Sequence, residues 1–391
     1  MSLKKAILPA TPLTGLSPPR ESVWRGPEDD GITQTMVGRY LTCPDRFRIL
    51  YVEGLQAAPS FRPQLEFGNL WHAAEEAWAK RSTKSQVDWQ RLVFDCGNKM
   101  GEQYPMQRDQ VIHWIRCTIA LFPVYMNYWK KHPDMLNRKP LLEEEAFSVE
   151  YKLPSGRRVR LRGKWDSVDL VTDTTQKQKG VSETGIWLQE NKTKSQIDKQ
   201  KIERMLRYDL QTMLYLIALS EQQPTLTMNR KLKDNSLWDN PIKGVRYNVI
   251  RRSTHKTDES MIKKCTEDVV AGRADEWFCR WNSEVSASEL RRFRTQTLDP
   301  ILENICDDYE WWALCKKMDE RDGVKPRLFD YTLRARMHPE HKHRHFVMPY
   351  IGYNPLAEGG ETDVDRYLFD GNEIGLRRIT HDDLFPELRA A

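Results

Sequence analysis

Two carboxylates and a lysine carry the first chemical signal in the chain. Asp166 lies in the run LRGKWDSVDLV (161–171), and Glu190 and Lys192 lie in GIWLQENKTK (185–194). Brought side by side, two carboxylates repel and cannot both stay ionised without a cation. A hard divalent cation such as Mg²⁺ or Mn²⁺ fits, since it takes oxygen ligands and keeps several waters. In a strand, residues two apart share a face, so Glu190 and Lys192 point the same way. The lysine is then placed to hold or polarise a water on the cation, which lowers that water's pKa and stabilises the charged phosphate. This is the chemistry of phosphodiester hydrolysis.

The surrounding pattern supplies elements that can position these groups. Val159-Arg160-Leu161-Arg162 alternates, and Trp165, Val168 and Leu170 bracket Asp166, which predicts a strand. A polar, Gly-containing turn (172–185) leads to a second strand carrying Glu190. Glu150 and Tyr151 fall on an earlier strand, joined to the first by the turn signal Pro154-Ser155-Gly156. The run Glu143-Glu144-Glu145 is expected to be the solvated start of that strand. One long amphipathic helix is expected over Lys199–Leu219, with Gln211 and Tyr215 one turn apart. Val245–Ile250 alternates and ends in Arg251-Arg252, predicting a further strand. Upstream, Phe67–Lys80 reads as a helix with Trp71, Ala74, Ala77 and Trp78 on its apolar face, and with His72 and Glu76 sharing another. Residues 86–131 read as mostly helical, broken between Gly101 and Pro105, with aromatics that serve a core better than a base-stacking surface.

Several of these pieces resemble the PD-(D/E)XK nuclease superfamily, in its RecB-like, CRISPR-associated-exonuclease-like branch. They are Gly163-x-x-Asp166, Glu190-x-Lys192, Gln211-x-x-x-Tyr215, Gly68-Asn-Leu-Trp-His72 with Glu76 beyond it, and Cys43-Pro44-Asp45-Arg46-Phe47 before Tyr51–Leu55. They stand in the family's order over about residues 36–220; Trp165 replaces the proline of the family's name. The resemblance implies an α/β fold, a mixed central sheet flanked by helices, with helical insertions and a C-terminal extension. It implies Asp166 and Glu190 as metal ligands, Lys192 as the residue that positions and activates water, and His72 as a third ligand. An imidazole ligand leans toward manganese. Glu76 would stand behind the metal, and Gln211, Tyr215 and Lys194 would meet the substrate or orient the lysine. The implied activity is a metal-dependent DNA exonuclease of recombination, repair or end processing, acting on single strands or duplex ends. In that branch the early cysteine can ligate an iron–sulfur cluster with three late ones; Cys265, Cys279, Cys306 and Cys315 are not tightly grouped, so Cys43 reads as a packed residue.

Composition sets the frame. The chain has 391 residues, 39% hydrophobic and 30% charged, enough for one large or two ordinary domains. The expected division is a Pro-rich arm over 1–30, a nuclease core over 31–256 with its helical insert at about 86–135, and a mainly helical region over 257–391. No apolar run approaches the ~18 residues of a membrane span, and no secretory signal is visible. The seven scattered cysteines, without a CxxC, suggest reduced thiols and a cytoplasmic setting, that of a bacterial host if the gene is a phage's. Net charge is only +5, but Arg157–Arg207 holds 13 Lys and Arg against 7 Asp and Glu, as suits a polyanionic substrate. The histidines at 338, 341, 343 and 345 lack ligand spacing and read as a basic loop. No GxxxxGK[ST] motif is present, so a helicase or recombination partner would be a separate chain. Two alternatives stay open: a binding or assembly subunit that keeps the fold without cleaving, and a PD-(D/E)XK endonuclease.

Overall fold

The structure, a computed structural model, describes residues 22–42, 44–52, 54–57, 61–80, 88–130, 137–173, 183–228, 235–252, 258–321 and 376–385. The chain divides into two compact units. The larger comprises Gly26–Thr42, Ala57–Asp307 and Phe385–Ala391.

A six-stranded mixed sheet forms the centre of the larger unit. Its strands are β1 (Ile32–Thr33), β3 (Arg138–Lys152), β4 (Arg158–Asp173), β5 (Glu183–Lys194), β6 (Ile242–Arg251) and β7 (Phe278–Glu284). The turn signal does its work: Gly156 adopts φ +90°, a conformation cheap only for glycine, and closes the β3–β4 hairpin. β4 and β5 are antiparallel, β5 and β6 parallel, and β6 and β7 antiparallel. Residue 256, the expected boundary, therefore lies between two adjoining strands of one sheet. β7 escapes notice in the sequence because FCRWNSE is short and its partner lies a helix away.

Helices cover both faces. On one side lie α2 (Pro63–Lys80), α3 (Trp89–Gln103), α4 (Arg108–Lys130) and α7 (Asp258–Val270). Their apolar faces build a core from Phe67, Trp71, Val93, Leu121, Phe122, Tyr125, Met261 and Trp277. The break between α3 and α4 falls at Tyr104-Pro105, where proline cannot continue a helix. On the other side α6 (Leu210–Met228) is buried all round from Thr212 to Leu219, and α1 (Gln34–Thr42) packs against it. The expected single helix over 199–219 is two, α5 (Lys199–Leu206) and α6, because Tyr208 turns left-handed at φ +61°. α8 (Ala287–Phe293) and the start of α9 (Asp299–Arg321) follow.

The smaller unit comprises Met1–Arg25, Cys43–Gln56 and Asp308–Leu384. It pairs β2 (Leu55–Ala57) with β8 (Leu376–Arg378) and clusters the rings of Trp24, Phe47, Tyr309 and Trp312. Of the stretch expected as an arm, residues 22–30 are described. There Trp24 is fully buried, since a ring of its size gains from packing wherever aromatic partners exist. Residues 1–21, Cys43 and the histidines at 338–345 lie outside the described residues. No helix among the described residues is long and apolar enough to cross a membrane.

Candidate active site

Strand pairing explains where the acids meet. β4 pairs with β5 from Asp173/Glu183 to Ser167/Gln189, and there the pairing stops. Farther along, the same strand pairs with β1 at Leu161 and Arg162. The interval Gly163–Asp166 lies in the fork between these two partners. The next residue on each diverging strand is Asp166 and Glu190. The backbone N–H of Asn191, released from the ladder, donates to Asp166 Oδ2 at 2.7 Å.

Glu190 is 2% exposed. Its Oε1 accepts from Lys192 Nζ at 2.6 Å and from Gln211 Nε2 at 2.9 Å. Gln211, in the first turn of α6, also accepts from Lys192 Nζ through Oε1 at 2.8 Å. The three side chains thus close a ring of hydrogen bonds that fixes the lysine. Glu190 Oε2 is buried and has no hydrogen-bond partner among the described residues.

His72 enters from α2, its side chain 35% exposed, with Nδ1 at 3.6 Å from Asp166 Oδ1 and 3.8 Å from Glu144 Oε1. Glu144 is the residue the sequence reading missed. Expected as a solvated residue, it has only 6% of its side chain exposed and forms an ion pair with Lys164 Nζ at 2.7 Å. It lies across the hairpin from Asp166, between the Glu143–Ser167 and Glu145–Trp165 pairs. Its φ of +50° departs from the extended strand and turns the carboxylate inward. Ligand atoms of His72, Glu144 and Asp166 all fall within 4.8 Å of one another.

The remaining expected residues surround this centre. Tyr215 is buried; its ring packs edge-on to Phe147 at 5.2 Å, and its hydroxyl is held by the Lys164 backbone and by Gln211. Gly163 is required there, because a Cβ would sit 2.6 Å from Phe147 and 2.8 Å from Tyr215. Glu76, one turn beyond His72, lines a cavity with Glu75, Glu143, Glu144 and Asp166. Lys194 is half-buried at the end of β5.

Crowded acids shift the titrations. Burial opposes charge on His72, but Asp166, Glu144 and Glu190 outweigh it and raise its pKa to about 9. Burial pushes Asp166 up to about 7, with Glu190 and Glu144 adding to it and His72 and the Asn191 N–H opposing. Burial would raise Glu144 too, yet His72 and Lys164 prevail and lower it. Lys192 is raised: burial disfavours its ammonium, but Glu190 more than compensates. A proton on His72 thus does part of what a cation would do. The donor set of His72, Asp166 and Glu144, one imidazole and two carboxylates, fits a divalent metal. Glu190 falls outside that trio and keeps one carboxylate oxygen, Oε2, without a hydrogen-bond partner among the described residues.

A family model for the PD-(D/E)XK nuclease superfamily matches residues 32–316. The chain belongs to this superfamily. No curated protein matches it. PD-(D/E)XK nucleases use divalent metals, and in this chain Asp166, Glu190 and Lys192 lie where β4 and β5 diverge in a mixed sheet flanked by helices. The match reaches beyond β7, so the whole six-stranded sheet falls within it.

Proposed function

We propose that the chain is a divalent-metal-dependent deoxyribonuclease that degrades DNA from its ends. The observation that carries the hydrolytic reading is the fork, with Asp166, Glu190 and Lys192 around one point and His72 and Glu144 facing them. DNA as substrate and end-dependence rest on the RecB-like order of the motifs, and a role in recombination, repair or end processing rests on the same resemblance. Unwinding would come from a separate helicase or recombination partner, since the sequence contains no GxxxxGK[ST] motif.

Asp166, Glu190, His72 and Glu144 would hold the metal, with Mn²⁺ favoured by the imidazole and Mg²⁺ by the carboxylates. When bound, it acts as a Lewis acid toward the phosphate and acidifies a water. Lys192 keeps its proton at neutral pH, because its pKa is raised. Two of its three N–H groups serve Glu190 and Gln211, leaving one to orient the attacking water or stabilise a phosphate oxygen. Gln211 and Tyr215 position Lys192 and the β4 backbone; Lys194 extends the cationic edge toward the phosphates. Glu76 supports the acidic side of the centre from behind.

The test is digestion of end-labelled linear single- and double-stranded DNA beside a closed circle, with Mg²⁺ or Mn²⁺, for wild type and Lys192→Ala. Loss of linear DNA alone, abolished in the variant, is the expected result. Cutting of the circle would replace the exonuclease with an endonuclease. Binding without cleavage under either metal would sink the enzymatic reading.

A further inference from the structure

Beyond the metal centre, one strip of surface combines an arginine without an acidic partner among the described residues, an aromatic support and a missing side chain. Arg252 follows β6, and its backbone N–H donates to the Lys194 carbonyl at 2.6 Å, which ties it to the end of the catalytic strand. Its guanidinium lies over Trp114 of α4, with Cζ at 5.6 Å from the ring centroid. Trp114 is itself held edge-on by Phe67 of α2 at 5.6 Å. Among the described residues no carboxylate forms an ion pair with Arg252, and burial is the cause that lowers its pKa. Other shifted arginines, such as Arg138 and Arg273, are raised by acids. A half-buried guanidinium over a ring, with no carboxylate paired to it among the described residues, is prepared for an anion.

Between this arginine and the metal centre lies Gly68. It stands one turn before His72 on α2, so the two share a face. A Cβ at Gly68 would meet only Thr193 Oγ1 within 4 Å, at an ordinary 3.4 Å. Packing among the described residues therefore does not demand glycine, although glycine weakens a helix interior. What glycine secures is open surface between His72 and Arg252.

We infer that the strip His72–Gly68–Thr193–Arg252 is a subsite for one strand of nucleic acid, its backbone passing over Gly68 and a phosphate next to the scissile one resting on Arg252 against Trp114. The inference rests on the nuclease reading for its substrate class. A phosphate contact there is independent of sequence and places the strand relative to the metal.

The experiment uses fluorescence anisotropy of a labelled oligothymidylate, with full-length protein carrying Lys192→Ala so that the probe survives. Adding Arg252→Ala is expected to weaken binding by on the order of tenfold and to reduce the slope of log affinity against log salt by about 0.7, the loss of one phosphate on a single strand. Gly68→Leu is expected to weaken binding while the thermal midpoint holds or rises, because leucine is a better helix former than glycine. In the active protein, Arg252→Ala should raise KM with little change in kcat. Wild type that cleaves DNA while Arg252→Ala keeps its affinity, salt slope and KM would overturn the strip and leave the nuclease standing. Binding that depends on Arg252 in a protein that cleaves nothing would keep the strip and overturn the nuclease. Absence of oligothymidylate binding overturns the strip outright.

Discussion

Glu144 shows how much one backbone angle can contribute. A non-glycine residue in the left-handed region costs about 1–2 kcal/mol, and here the hairpin on both sides holds it there. Asparagine tolerates that region, is one methylene shorter and is neutral. Glu144→Asn is therefore expected to keep the thermal midpoint within a few degrees while lowering divalent-metal affinity by roughly 10–100-fold; titration calorimetry measures the second effect and calorimetric melting the first. His72 makes the metal-free protein sensitive to pH. Its folded pKa of about 9 lies above the ordinary 6.5, so the stability it contributes is complete below 6.5 and lost as pH rises through 9. Asp166, raised to about 7, acts in the same direction, since the folded chain holds a proton that the unfolded one releases. The gain in melting temperature on adding Mn²⁺ should accordingly grow from pH 6.5 to 9, and His72→Gln should flatten that growth.

At the scale of elements, the decisive feature is the exchange of partners along β4. Gly163 lets the strand pass under two rings, and Gly163→Ala forces a Cβ to within 3 Å of both. The expected cost is on the order of 1–3 kcal/mol in chemical denaturation, with loss of activity as Tyr215 is pushed away from Gln211. Much of this level was legible in the sequence. Alternation gave β4 and β6, the short apolar run Ile186-Trp187-Leu188 after a polar turn gave β5, and the Pro154-Ser155-Gly156 signal gave the hairpin. Glu144 could also have been found, because hairpin register is set by its turn. Counting outward from Lys152 opposite Arg158 brings Glu144 opposite Asp166. It was passed over because three consecutive glutamates read as solvent-facing and because its inward turn depends on a φ no pattern announces. The break between α5 and α6 was hidden for a similar reason: tyrosine and aspartate give no warning of a left-handed residue.

On the scale of the whole molecule, a buried polar layer joins the sheet to the helices on the α2 side. Asn248 Nδ2 donates to Tyr125 Oη and Asn191 Oδ1, both at 2.8 Å, and its Oδ1 accepts from Arg280 at 3.0 Å. Asn248 is fully buried, so Asn248→Leu leaves several polar groups unmatched. It should cost about 1–3 kcal/mol, read by urea unfolding, although among the described residues Asn248 makes no hydrogen bond to His72, Glu144, Asp166, Glu190 or Lys192. Such long-range pairings, 123 residues apart in the case of Tyr125, cannot be read from local pattern. The same limit explains why the sequence closed the nuclease core at 256, before β7. Local signals find strands and helices; only three-dimensional partnership says which of them share a layer.

The fork also bears on how this protein can change over generations. Adding or deleting one residue within β4 would turn every later side chain to the opposite face, so Asp166 could not keep company with Glu190 on one side and β1 on the other. Substitution is therefore the only open route for the 158–173 segment, whereas connections between helices can lengthen or shorten freely. Single-residue insertions scanned through the gene should be tolerated at Tyr104-Pro105 and lethal to activity throughout Arg158–Asp173. In that sense Asp166 acts as a ruler against which the length of the chain around it is held constant.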